Sequence, residues 1–181
     1  MITRLSESIA KFIRSNNEQA ASMEVLMFSI FIFLNALLVT FLVVGVSIFT
    51  GHLLEAAAVI VSYVALRFFS GGMHLPTSTI CNVFSTVVLL VLAHIPISYW
   101  NAGFVIHLIA LALIIIYAPT KDIMALNRLG PTYTIHFKII SIALVSLNFA
   151  IQSPVISLAF VTQALSLVPW SYKAAALLER R

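Results

Sequence analysis

The sequence is poor in charge and nearly free of cysteine. Of its 181 residues, 9% are charged and 61% are hydrophobic, with a mean hydropathy of +1.08. A soluble domain carries about 25% charged residues. This chain therefore has too little polar surface to cover a globule in water. That excludes a soluble enzyme of any fold, and equally a disordered chain. The single cysteine, Cys81, excludes an intramolecular disulfide framework. It also excludes a zinc site built from several cysteines of one chain. H-E-x-x-H, G-x-S-x-G and Walker patterns are absent, so metalloprotease, serine-hydrolase and nucleotide-driven chemistry find no support. There is no internal repeat, no low-complexity segment and no cleavable signal pattern. The length allows one domain over residues 1–181.

What the chain does have is apolar runs of membrane length. A spanning helix needs about 20 apolar residues. Six candidates occur, at about 23–49, 52–69, 77–95, 102–118, 133–151 and 154–172. Thr50-Gly51, Gly71-Gly72 with Pro76, Pro96 to Gly103, Pro119 to Pro131, and Ser153-Pro154 punctuate them. The basic residues test this count. Arg4, Lys11 and Arg14 precede the first run, and Arg67 ends the second. Lys121, Arg128 and Lys138 belong to the fourth-to-fifth connection, and Lys173, Arg180 and Arg181 follow the sixth run. All ten thus fall on one side of the alternation. The positive-inside rule makes that side cytoplasmic. The expectation is an all-α polytopic membrane protein with six transmembrane helices over 23–172 and both termini cytoplasmic. Five of the six acids share the basic side, leaving it +5 and the outer side −1 within the net +4. A positive charge that suggests nucleic acid in a soluble protein here sets topology, and no nucleic-acid partner is expected.

Residues 1–22 differ. Ile2, Leu5, Ile9, Phe12 and Ile13 recur at helical spacing, with Arg4, Lys11 and Arg14 between them. This predicts an amphipathic helix on the inner leaflet, serving as a lipid-facing anchor or as a docking surface for a partner helix. Residues 173–181 read as a basic cytoplasmic tail.

Chemistry concentrates in the second-to-third connection, R-F-F-S-G-G-M-H-L-P-T-S-T-I-C-N-V-F-S, from Arg67 to Ser85. On an unbroken helix His74 and Cys81 would stand about 10 Å apart along the axis. Pro76 disfavours helix at Leu75 and suits a helix starting near it. Gly71-Gly72 permits a tight turn before it. His74 can then lie on a loop folded over the start of the next helix, with Cys81 about one turn inside. An imidazole beside a thiol can take its proton and make a nucleophile for acyl transfer. Arg67 would stabilise an anionic substrate group or the loop. The same residues also fit a plain reading: a small apolar cysteine, a solvated histidine and ordinary turn chemistry. Ser78, Asn82 and Ser85 stand near Cys81, and nothing selects a third catalytic group among them. His52 and His94 fall near the outer face, where interfacial anchoring or a metal would engage them. His107 and His136 lie within the fourth and fifth runs. Asn35, Asn148 and Gln163, inside the apolar runs, mark a polar path or interhelical hydrogen bonds.

At this stretch the sequence resembles the accessory gene regulator B (AgrB) family of membrane cysteine endopeptidases. The shared pattern is Arg67, Gly71, Gly72, His74 and Cys81, in order and spacing. Six apolar segments and Ala118-Pro119 at the fourth-to-fifth connection also fit. The resemblance implies a membrane peptidase that removes the C-terminal tail of an AgrD-like propeptide and promotes cyclisation of a quorum-sensing peptide. Cys81 would be nucleophile and His74 its general base and acid. Arg67, Lys121, Arg128 and Lys138 would meet an acidic tail, with no metal or cofactor required. It further implies a homodimer in the bacterial cell membrane, with the active site at the cytoplasmic face. One departure is visible. Family members often carry an Asn-Lys-Pro-like basic run in the fourth-to-fifth connection, whereas here Asn127 is followed by Arg128 and the basic residues are dispersed. The alternative from another class is a non-catalytic peptide exporter or membrane scaffold.

Overall fold

The computed structural model describes residues 2–17, 19–73, 75, 77–121 and 131–179. Among these residues all regular structure is helical. Helix α1 (Ile2–Asn16) turns into α2 (Met23–Thr50) through a loop whose Ala20 and Ala21 carbonyls accept from Arg14 Nη1 at 2.6 and 2.9 Å. The Ser22 hydroxyl caps α2 by accepting from the Val25 N–H, and Gly51 ends it in the left-handed conformation that glycine adopts without strain. Then come α3 (Leu53–Ser70) and α4 (Ser78–His94). A π-helical turn (Tyr99–Gly103) leads into α5 (Phe104–Tyr117). Beyond it lie α6 (Pro131–Ser146) and the short α7 (Asn148–Ile151). The chain closes with α8 (Pro154–Leu165) and α9 (Pro169–Glu179).

Helices α3 and α8 occupy the centre. One apolar cluster joins Val43 of α2, Val59 of α3, Leu92 of α4 and Ala159 of α8. A second joins Leu66 of α3, Ile114 of α5, Val145 of α6 and Phe160 of α8. The inward face is rich in small residues, with Ser47, Ser70, Ser141, Ser157, Ala56, Ala110, Ala159 and Ala164 fully buried. Small side chains let helix backbones approach closely where lipid supplies no hydrophobic drive between helices. The outward face is the reverse of a soluble protein's: Phe41, Phe49, Leu54 and Phe68 are all more than two-thirds exposed (76%, 92%, 82% and 67%).

Four of the six expected runs form helices of spanning length, and two differ. Met23–Thr50, Leu53–Ser70, Tyr99–Tyr117 and Tyr133–Ile151 are each long and apolar enough to cross a membrane. Helix α4 is apolar but has only 17 residues. The run 154–172, expected to be continuous, is instead broken: α8 and α9 meet at 70°. Pro169 is the physical reason, since it lacks an N–H and disfavours helix in the residue before it.

The apolar stripe of α1 is also divided. Ser6 and Ala10 are its buried residues and α1 packs on α2, whereas Leu5 (50%) and Phe12 (70%) face outward.

Candidate functional site

One end of the bundle gathers the candidate residues. There α3 stops at Ser70 because Gly71 takes φ +75°, with its N–H still bonded to the Arg67 carbonyl at 2.9 Å. The following backbone runs across the break between α8 and α9, where the Met73 N–H donates to the Ser166 carbonyl at 3.2 Å. The chain leaving α5 reaches the same place, since the Thr120 N–H donates to the Ser70 carbonyl at 2.9 Å. The start of α6 is tied in by the rings of Phe69 and Phe137, 5.7 Å apart. Arg67, Gly71, Gly72, Lys121 and Lys138 therefore share this end. Lys121 is exposed and Lys138 half-buried. His74 and Arg128 lie outside the described residues.

Cys81 enters from α4. Thr77 caps this helix, its hydroxyl accepting from the Ile80 N–H at 3.3 Å. The Cys81 N–H then donates to the Thr77 carbonyl at 3.0 Å and closes the first turn. The thiol is free and half-buried. By helical spacing Cys81 shares a face with Ser85, Val88 and Leu92. Its neighbour Asn82 turns to α2, donating from Nδ2 to Asn35 Oδ1 at 2.5 Å. Beside that pair an apolar cleft of ≈ 280 Å³ lies among α1, α2 and α4, lined by Ile2, Leu38, Leu42, Asn82 and Val83 among others.

Arg67 reaches both the loop and α8. Its Nη2 donates to the Met73 carbonyl at 2.6 Å and its Nη1 to Gln163 Oε1 at 3.3 Å. The glycine pair is required by space as well as by angle. Gly72 has φ +139°, and a Cβ there would stand 2.5 Å from Ser166 Oγ and 3.2 Å from Gln163 Nε2.

The three intramembrane amides all make contacts between elements. Asn35 meets Asn82. Asn148 Nδ2 donates to Ser157 Oγ at 2.9 Å and to the Ser153 carbonyl at 3.0 Å. Gln163 reaches the glycine loop. Sequence reasoning missed Ser70 and Ser166 as supports of the loop, because a serine in an apolar run carries no signal of what it will face. At the opposite end, the His52 and His94 rings lie 4.4 Å apart, and His94 Nε2 contacts Thr50 Oγ1 at 2.8 Å. These contacts tie the end of α4 to the end of α2.

The model of the family accessory gene regulator B (AgrB) matches residues 6–171. No curated protein and no solved structure matches the chain.

Proposed function

The chain belongs to the accessory gene regulator B family, and from that premise we propose that it is a membrane cysteine endopeptidase. Membership ties it to processing of the agr quorum-sensing peptide and to an AgrD-like propeptide. Its several long apolar helices fit a multi-pass membrane protein. The finer reading is ours. The observation that carries it is a family match running through the whole Arg67-to-Cys81 motif.

In this reading His74 accepts the Cys81 thiol proton, and the thiolate attacks the carbonyl carbon of the scissile peptide bond. His74 returns the proton to the leaving amine. The C-terminal tail departs and the acyl group stays on Sγ as a thioester. A propeptide cysteine thiol (or serine hydroxyl) then attacks the thioester. It loses its proton to His74, closes a thiolactone (or lactone) ring and releases the Cys81 thiol. Exchange between thioester and thiol keeps the acyl group activated, whereas hydrolysis discards that activation. A site sheltered from water favours ring closure. Arg67 holds the loop. Lys121, Arg128 and Lys138 attract the acidic tail.

The membrane reading has six crossings, both termini and the active site on the cytoplasmic side, α1 on the inner leaflet, and a homodimer as the working unit. At 1.5 Å per residue α4 is about 26 Å long, close to the ~30 Å hydrocarbon core. A modest local thinning accommodates it.

The test is co-expression with a propeptide bearing an amphipathic leader, an internal cysteine and an acidic tail. Cys81→Ala and His74→Ala should each abolish tail release, and wild type should yield an acyl adduct on Cys81 by mass spectrometry. Full cleavage by both variants would overturn the peptidase reading in favour of an exporter or scaffold.

A further inference from the structure

We propose that Gln163 is a positioning residue of the cysteine site, acting through the backbone of Gly71 to Met73. The inference rests on the peptidase reading above and adds to it a residue from a helix that carries none of the motif.

Gln163 lies in the last turn of α8 and is fully buried. A primary amide in such surroundings needs partners. Among the described residues, each partner of its side chain lies at the end of α3 or in the loop beyond. Its Nε2 donates to the Gly71 carbonyl at 2.6 Å and to Ser70 Oγ at 3.1 Å. Its Oε1 accepts from Arg67 Nη1 at 3.3 Å. Both amide hydrogens and one oxygen lone pair are used, so the amide has one workable orientation.

The partners are of a particular kind. An amide that only glued two helices together would bond within their regular stretches. Besides two side chains of the last turn of α3, Gln163 bonds the carbonyl of the residue where α3 has already broken. It also braces the arginine whose other nitrogen holds the Met73 carbonyl. The Met73 N–H is taken by Ser166, one turn further along the same helix run. Gly72 sits so tightly on this surface that a methyl group would meet both Ser166 and Gln163. Gln163 thus fixes the course of the backbone up to Met73, the residue that precedes His74 in the chain. A base must be held within hydrogen-bond reach of its proton, and a misplacement of about 1 Å can cost on the order of 100-fold in rate.

The experiment uses the full chain in lipid nanodiscs with a synthetic propeptide carrying a leader, an internal cysteine and an acidic tail. Gln163→Leu and Gln163→Met remove every amide contact. Gln163→Glu keeps an oxygen for Arg67 and loses the donor to Gly71. Steady-state tail release gives kcat and KM. The alkylation rate of Cys81 by iodoacetamide at neutral pH reports on the thiol without any substrate. Folded protein is counted by monodisperse elution.

Per folded molecule, all three variants should lose kcat by on the order of 100-fold, with KM nearly unchanged, and should alkylate as slowly as His74→Ala. A purely structural role would lower folded yield and leave kcat and alkylation of the survivors unchanged. That result in whichever variants fold overturns the proposal, as does a fully active Gln163→Glu. Wild type without Cys81-dependent tail release would overturn the peptidase reading itself, and the positioning role would fall with it.

Discussion

Gly72 is the position with the least room to change. Its φ of +139° is one that L side chains rarely adopt, and Ser166 and Gln163 fill the space beside it. A strained backbone of this kind costs about 1–3 kcal/mol. Gly72→Ala should lower the thermal midpoint of the purified protein and abolish propeptide cleavage. Adding Ser166→Gly removes the nearest contact but not the strain, so it should restore stability only in part. At this scale the sequence was partly legible. Arg67, the glycine pair and Cys81 stand out because their types and spacing are unusual within an apolar chain. Asn35, Asn148 and Gln163 stand out for the same reason. Their partners do not, since Asn35 meets Asn82 across 47 positions and Gln163 meets Gly71 across 92. Only the packed structure determines such pairings.

Elements show a different balance. Apolar run length was enough to place α2, α3, α5 and α6, and Pro76 was enough to place the start of α4 near Ser78. The break between α8 and α9 was not legible. Pro169 follows an uncharged run, and hydropathy averaged over a span hides a single missing N–H. The consequence is local: Ser166 at the break offers its carbonyl to Met73. The cap of α4 is the matching device on the other side of the motif. Thr77→Ala should cost about 1 kcal/mol. Hydrogen exchange should quicken at the Ile80 and Cys81 amides, with the second half of α4 unaffected. Uniform protection along α4 in the variant would show that Thr77 does not hold the first turn.

For the molecule as a whole, charge carried most of the information. Described basic residues as distant in sequence as Arg67, Lys121 and Lys138 gather at one end, the end that receives the start of α4. The alternation of runs and cations foretold that gathering. It did not foretell that α3 and α8 would form the centre, because every run is apolar all round and none announces its neighbours. The proposed orientation makes a direct prediction. In inverted vesicles an impermeant maleimide should modify Cys81, whereas in intact cells the same reagent should leave it unmodified. Labelling only in intact cells would reverse the topology and place the motif outside.

The clamp on the glycine loop also has a consequence in time. The ribosome finishes Gly71 well before it reaches Gln163, 92 positions later. At ordinary synthesis rates that interval is on the order of 5–20 s. For most of it, the thiol has been made while the brace on the loop is still unmade. In the proposed reading the nascent chain is therefore born idle, and the making of α8 is what arms it.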